Sequence, residues 1–393
     1  MTAERGRESR LVDDVRRGLA RSAADGDPAA VAALVRRHTP VAGTTALLDA
    51  TRRVAAEVTG AGVLEPLLRL PGVTDVLVNG PGPVWLDRGA GLERSDVVIA
   101  EETELRRLAQ RLVASCGRRL DDAVPYADAR LPDGTRVHAV LPPLSPQGTC
   151  LSLRLPPRRT FSLGDLVAAG SLPVAGVPLL EQLVEARVAF VVTGGTGTGK
   201  TTVLSTLLSL VPPAERLVLV EDAVELRPAH PHVVRLESRL PNAEGAGGVD
   251  LAVLVRQALR MRPDRLVVGE VRGAEVRDLL TALNTGHAGG CGTVHANRAE
   301  HVPARFEALG AACGLSRTAV HSQLAASLDA VVHLTRDRQG RRRVAGVAVL
   351  SVDDGGLVRA LPAVTFTECR AGTEGIRGGP GEARLSQLLA AGG

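Results

Sequence analysis

Residues 194–201 read Gly-Gly-Thr-Gly-Thr-Gly-Lys-Thr, a full match to G-x-x-x-x-G-K-[ST]. An apolar run, Ala189-Phe-Val-Val-Thr193, precedes the match, and a helix-compatible stretch, TTVLSTLLSLV, follows it. A strand, a glycine-rich turn and a helix in that order are what the motif requires, so this segment commits the chain to an α/β fold. The glycines let backbone N–H groups turn inward around phosphate oxygens, and the helix N-terminus adds its positive end. The span Gly194, Gly195, Thr196, Gly197, Thr198, Gly199, Lys200, Thr201 and Thr202 is the expected phosphate cradle. Lys200 is placed to reach the terminal phosphates, and the Thr201 hydroxyl to meet Mg²⁺. The alternative is a chance Gly-rich turn. Against it stands the lysine count: of 47 basic residues all but Lys200 are arginine. A composition drifting from Lys to Arg has spared the one slot where a forked guanidinium cannot replace a compact charge.

The rest of the composition narrows the class. At 393 residues, 45% hydrophobic and 23% charged, the chain is of ordinary globular make-up, long enough for two or three domains. Aromatics are 2%, so the core is built from Val, Leu and Ala, and an aromatic stacking platform for single-stranded nucleic acid is disfavoured. A net charge of +4 on this length carries no signature of direct nucleic-acid binding. The opening MTAERGRESRLVDDVRR lacks the apolar core of a signal peptide, and no apolar run approaches the ~18 residues of a membrane span. A cytoplasmic protein that meets a membrane only through partners is expected. Cys116, Cys150, Cys291, Cys313 and Cys369 have irregular spacing without C-x-x-C, which points to isolated thiols rather than zinc or disulfides.

Four regions follow. Residues 1–58 alternate apolar and charged positions at helical spacing (LVDDVRRGLA, VAALVRRH) and read as a helical segment. Residues 59–157 read as α+β: VTDVLVNGPGPVWLD and LERSDVVI are strands with Gly-containing turns, ELRRLAQRLVASC is an amphipathic helix, and Asp133-Gly134 marks a hairpin. Residues 158–366 begin with a Pro/Arg-rich linker and then repeat a strand–loop–helix rhythm. Their unalternating apolar strands (AFVVT, RLVLVE, HVVRL, RLVVGE, CGTVHA) suit a mostly parallel sheet buried on both faces. Residues 367–393 are Gly-rich at first and read as a flexible tail.

Three further motifs lie in the third region. RLVLVED carries Glu221 and Asp222, with Glu225 just beyond; RLVVGE ends at Glu270 in the form of a Walker B strand. Acidic groups at strand C-termini face the ligand crevice of an α/β fold, where they hold Mg²⁺ through water or polarise an attacking water. Either one alone would equally suit a helix cap. TGHAGGCGTVHANR holds His287 and His295 eight residues apart, and two histidines leading into a strand could sense or bind a phosphate.

With these residues in place, the chain resembles the secretion ATPases of type II and type IV systems, pilus motors and conjugation machines. It carries their boxes in their order: Walker A (194–201), an aspartate box (Glu221, Asp222, Glu225), Walker B (Glu270) and a histidine box (His287, His295). Within that group it is most similar to the Tad/CpaF branch that assembles Flp-type pili, through VTDVLVNGPGPVWLD, GRRLDDAVPYADARLPDGTRVHAVLPP and LRMRPDRLVVGEVRGAE. The resemblance implies an N-terminal sensory module linked to a RecA-like P-loop motor. It also implies a homohexamer at the cytoplasmic face of the inner membrane that works on a membrane platform protein. ATP with Mg²⁺ would be the ligand, Glu270 would activate water, Glu221 and Glu225 would be further catalytic candidates, and Thr201 with Asp222 would organise the metal. Arginines of the N-terminal module reach the phosphates in relatives; the matching positions here are Arg118, Arg130, Arg136 and Arg154. The chain departs from the pattern at Ala288-Gly289-Gly290-Cys291, which puts hydroxyl-dependent sensing in doubt. A DNA-transfer motor and a nucleotide-sensing scaffold without turnover remain the rival expectations.

Overall fold

The computed structural model describes residues 60–393 except 90, 157–158, 240, 242–244, 287–288, 338–339, 367–374 and 392–393, and before residue 60 it describes 14–15, 17–18, 28–38, 51 and 54. Most of the expected N-terminal helical segment therefore lies outside the described residues, apart from a helix at Pro28–His38. The chain divides into two compact units, Met1–Pro156 and Pro157–Gly393. No described helix is long and apolar enough to cross a membrane.

The first unit contains a six-stranded antiparallel sheet. Its strands are β1 (Asp75–Asn79), β2 (Gly82–Asp87), β3 (Leu92–Ile99), β4 (Tyr126–Arg130), β5 (Arg136–Val140) and β6 (Cys150–Arg154), in the spatial order β3-β2-β1-β6-β5-β4. Alternation sets the buried face: Val76 and Val78 of β1 point inward with Val84 and Leu86 of β2. Helix α1 (Glu102–Ala114) covers that face with Leu105, Leu108, Ala109, Leu112 and Val113, the i, i+3, i+4, i+7 stripe of an amphipathic helix. Each such Leu or Val contributes ~1.5–3 kcal/mol by leaving water. Gly134, at φ +91°, makes the β4–β5 turn that Asp133-Gly134 signalled.

The second unit is built on a nine-stranded sheet. Its strands are β7 (Phe190–Thr193), β8 (Leu217–Glu221), β9 (Val233–Glu237), β10 (Arg265–Val271), β11 (Cys291–Val294), β12 (Ala330–Arg336), β13 (Arg342–Val352), β14 (Val358–Phe366) and β15 (Ile376–Gly378). Their order is β15-β14-β13-β12-β7-β11-β10-β8-β9. Strands β7 to β12 pair in parallel, and the β12–β15 edge is antiparallel. Successive residues of β7 enter opposite cores. Phe190 and Val192 pack with Val203, Leu204 and Leu207 of α2 (Lys200–Leu208), while Val191 joins the core formed with α3 (Leu251–Ala258), α4 (Glu275–Asn284), α5 (Val302–Ala312) and α6 (Arg317–Ser327). Burial on both faces explains why these strands show no polar alternation.

One expectation needs correcting. Residues 376–391 are not a flexible tail: β15 pairs antiparallel with β14, and α7 (Glu382–Ala391) places Leu385 in the core. The Gly-rich composition misled because Gly379 and Gly381 serve close packing. A methyl group at Gly379 would sit 2.3 Å from the Pro362 carbonyl oxygen, and one at Gly381 2.8 Å from that of Leu361.

Candidate functional site

Parallel pairing brings the carboxyl ends of β7, β11, β10 and β8 to one edge of the sheet, the edge where α/β folds bind ligands. The loop 194–199 leaves β7 there and enters α2 at Lys200. Two glycines are dictated by geometry. Gly199 caps α2 in the left-handed region at φ +94°, and a methyl at Gly194 would lie 2.6 Å from the Leu334 carbonyl oxygen. Thr198 Oγ1 donates to the Gly195 carbonyl at 2.9 Å, which closes the turn. Thr196 is exposed at the loop's tip, and Thr202 is half-buried in the first turn of α2.

Lys200 is 8% exposed, and its Nζ donates to the carbonyls of Gly194 (3.1 Å) and Gly195 (3.0 Å). Burial lowers its pKa, while the negative charges of Glu270 and Glu225 pull it back up. Nζ also stands 3.4 Å from His295 Nδ1, and His295 Nε2 lies 3.1 Å from Glu270 Oε1. The other Glu270 oxygen, Oε2, is 3.3 Å from Arg272 Nη2, which lies 2.9 Å from Asp222 Oδ2. A relay of polar contacts thus runs Lys200–His295–Glu270–Arg272–Asp222 across the ends of four strands. Burial first, and the Lys200 charge second, lower the His295 pKa against the opposing pull of Glu270, which favours the neutral ring overall. A neutral ring suits its two neighbours: Nδ1 accepts from the ammonium and Nε2–H donates to the carboxylate.

The aspartate box divides into three tasks. Glu225 Oε2 accepts a hydrogen bond from Thr201 Oγ1 at 3.2 Å, at the foot of the phosphate loop. Asp222 accepts at Oδ1 from Ser238 Oγ (3.3 Å) and presents Oδ2 to Arg272. Glu221, expected as a further catalytic acid, is instead buried beneath them. Its Oε1 accepts from the backbone N–H groups of Glu225 and Leu226, each at 2.9 Å. Burial pushes its pKa up to about 7 against the opposing pull of those two donors. A methyl at Gly269 would meet Glu221 Cγ at 2.7 Å, so the glycine before Glu270 exists to admit this side chain. Glu221 shapes the turn that carries Asp222 and Glu225.

Arg272 is the residue sequence reasoning missed. Glu275 Oε1 accepts from the backbone N–H of Arg272 (2.6 Å) and of Gly273 (2.8 Å), fixing the turn from which the guanidinium reaches back to both acids. The signal was present in Gly-Glu-Val-Arg, a cation two residues past the strand-end acid. His287 lies outside the described residues.

In the first unit, Arg130, Arg136 and Arg154 are cross-strand neighbours on β4, β5 and β6, and the same rung continues to Asp75 on β1. Arg154 Nε donates to Asp75 Oδ1 at 3.0 Å. Arg118 lies just past α1, with its N–H donating to the Val113 carbonyl.

The chemistry fits a nucleoside triphosphate with a hard cation. Loop amides and an ammonium suit phosphate, and a hydroxyl with two carboxylates is an oxygen donor set of the kind Mg²⁺ accepts alongside water and phosphate. The family described as Type II/IV secretion system protein matches residues 57–378. A putative conjugal transfer protein of Mycobacterium tuberculosis strain H37Rv is 57% identical over 319 residues, covering 80% of this chain and 91% of its own. The type IV secretion system protein PtlH of Bordetella pertussis is 33% identical over 309 residues, covering 71% and 91% respectively. Among solved structures, the pilus retraction motor PilT with bound ADP superposes with a TM-score of 0.52 at 20% identity, over 73% of this chain and 80% of its own. That likeness is one of fold.

Proposed function

Because the chain belongs to the type II/IV secretion system protein family, we propose that it is a Mg²⁺-dependent ATP hydrolase whose turnover drives assembly or export at a membrane. The observation that carries this reading is the relay from Lys200 through His295 and Glu270 to Arg272 and Asp222, set beside the phosphate loop.

The residues divide the work as follows. The amides of 195–201 hold phosphate oxygens, and Lys200 turns from the carbonyls of Gly194 and Gly195 to the terminal phosphate. Glu270 orients water and accepts its proton, with His295 and Arg272 fixing its two oxygens. Mg²⁺ supplies charge neutralisation at the transferring phosphoryl group, and Thr201 with Asp222 would hold it, Glu225 standing beside Thr201. Arg118, Arg130, Arg136 and Arg154 are the candidates for further cations at the γ-phosphate. The support for them is their match to relatives' positions and the cross-strand adjacency of Arg130, Arg136 and Arg154 on one rung.

In its finer form the proposal is a homohexameric motor for Flp/Tad-type pili, peripheral to the cytoplasmic face of the inner membrane and docked on a platform protein. Its support is the Tad-like segments of residues 73–87, 117–143 and 259–275. A second reading, a motor for DNA transfer, is favoured by the conjugal-transfer name of the 57% identical relative. Phosphate release from Mg·ATP by the purified full chain tests the enzyme: no release above the Lys200→Ala background leaves a nucleotide-sensing scaffold. Salt-sensitive stimulation of turnover by DNA would move the assignment to conjugation.

A further inference from the structure

The sheet order separates the two flanks of the phosphate loop. On one flank of β7 lie β11, β10 and β8, whose ends carry His295, Glu270, Asp222 and Glu225. On the other flank lies β12, which pairs antiparallel with the next strand, β13. A nucleotide seated in the loop with its terminal phosphate toward Glu270 must send its opposite end toward the β12–β13 hairpin.

That hairpin is built to present cations there. Arg336, the last residue of β12, and Arg342, the first of β13, are direct cross-strand partners, so their side chains share one face; both are exposed. Like charges in this register repel, and the arrangement costs stability unless an anion sits between them. Both side chains reach the loop: a methyl at Gly197 would lie 3.8 Å from Arg336 Nη1, in the guanidinium, and one at Gly199 3.6 Å from Arg342 Cδ, in the stem. The β12 backbone itself abuts the loop, through the close approach of the Leu334 carbonyl to Gly194. The turn is rigid. Asp337 accepts from the Arg341 backbone N–H (2.9 Å) and Nε (2.7 Å), and Arg336 Nε donates to the Gly340 carbonyl (3.0 Å).

We propose that Arg336 and Arg342 form a second cationic wall of the nucleotide site and grip the α-phosphate of a nucleoside di- or triphosphate, at the end away from the cleaved bond. This rests on reading the loop as a nucleotide site. Because the contact is made equally before and after hydrolysis, it is uniform binding, felt in KM and not in kcat.

The test uses the full chain with Mg·ATP and Mg·ADP as probes, measured by calorimetry and steady-state phosphate release. In the R336Q/R342Q double variant, Kd for ATP and for ADP should rise together by about tenfold or more, the scale of one charge-assisted hydrogen bond to phosphate. KM should rise alike, kcat at saturation should stay within about twofold, and the salt dependence of binding should flatten. Arg359→Gln, which breaks a pair with Asp353 at the opposite end of β13, should leave both affinities unchanged and so controls for general destabilisation. Unchanged Kd for both nucleotides, or a fall in kcat at constant KM, overturns the inference. So does a change confined to oligomeric state, which would mean that the arginines meet another copy of the chain. Lys200→Ala separates the two levels. If it abolishes binding while the double variant binds normally, the loop reading stands and only the wall falls; if it binds normally, the reading itself is wrong.

Discussion

Substituting Glu221 by Gln separates a buried structural acid from a catalytic one. In the folded chain its carboxyl titrates at about 7, against 4.5 for the ordinary group, with burial the dominant cause. An acid raised in this way favours folding while protonated, so its contribution is fully present below about pH 4.5 and is lost as pH rises to about 7. At ~1.4 kcal/mol per unit, the span corresponds to ~3 kcal/mol of stability between pH 4.5 and 8. For a unit of this size ~1 kcal/mol moves the melting point by roughly 2–4 °C, so the swing is roughly 6–12 °C. The amide of Gln copies the neutral acid, since its oxygen can still accept from the N–H groups of Glu225 and Leu226. Melting of parent and Glu221→Gln, followed by calorimetry from pH 5 to 8, should show the variant gaining on the parent as pH rises. Turnover at pH 7 should stay within about threefold. A difference in melting point that does not change with pH refutes the burial argument, and a loss of turnover of ~10² or more returns Glu221 to the catalytic group.

Glu270→Gln should bind Mg·ATP and lose ~10²-fold or more in turnover, the scale for a lost general base; parent-like hydrolysis would shift that role to Glu225. Arg272→Gln frees Glu270 Oε2 and Asp222 Oδ2, and it should lower kcat by about tenfold or more while nucleotide still binds. A change in KM alone would argue against a positioning role. Single charge removals at Arg118, Arg130, Arg136 and Arg154 in the full chain should uncover at least one loss of ~10³–10⁵ in turnover that Arg→Lys does not rescue. If all four variants hydrolyse ATP normally, these residues only bind one another's acidic partners, as Arg154 does with Asp75.

What the chain's own order determined is local. A glycine at φ +94° before a helix, an ammonium at the first helical position and an acid ending an apolar strand are properties of a few neighbouring residues, so Gly199, Lys200 and Glu270 could be read directly. The same holds for the β1–β2 turn, the α1 stripe and the Asp133-Gly134 hairpin. Tertiary structure decided everything that depends on strand order. Glu221 and Glu225 sit four residues apart with the same carboxyl, yet one lies beneath Gly269 and the other faces Thr201. Arg272 matters because β8 and β10 are parallel neighbours that bring Asp222 within its reach, and Arg336 and Arg342 matter because β12 lies beside β7. Composition assigned 367–393 to a tail, but a partner strand and core packing of Leu385 turned 376–391 into structure. The physical reason is common to all of these: local patterns set backbone geometry and which face is apolar, whereas charge, burial and pKa come from neighbours that only the pairing of distant strands supplies.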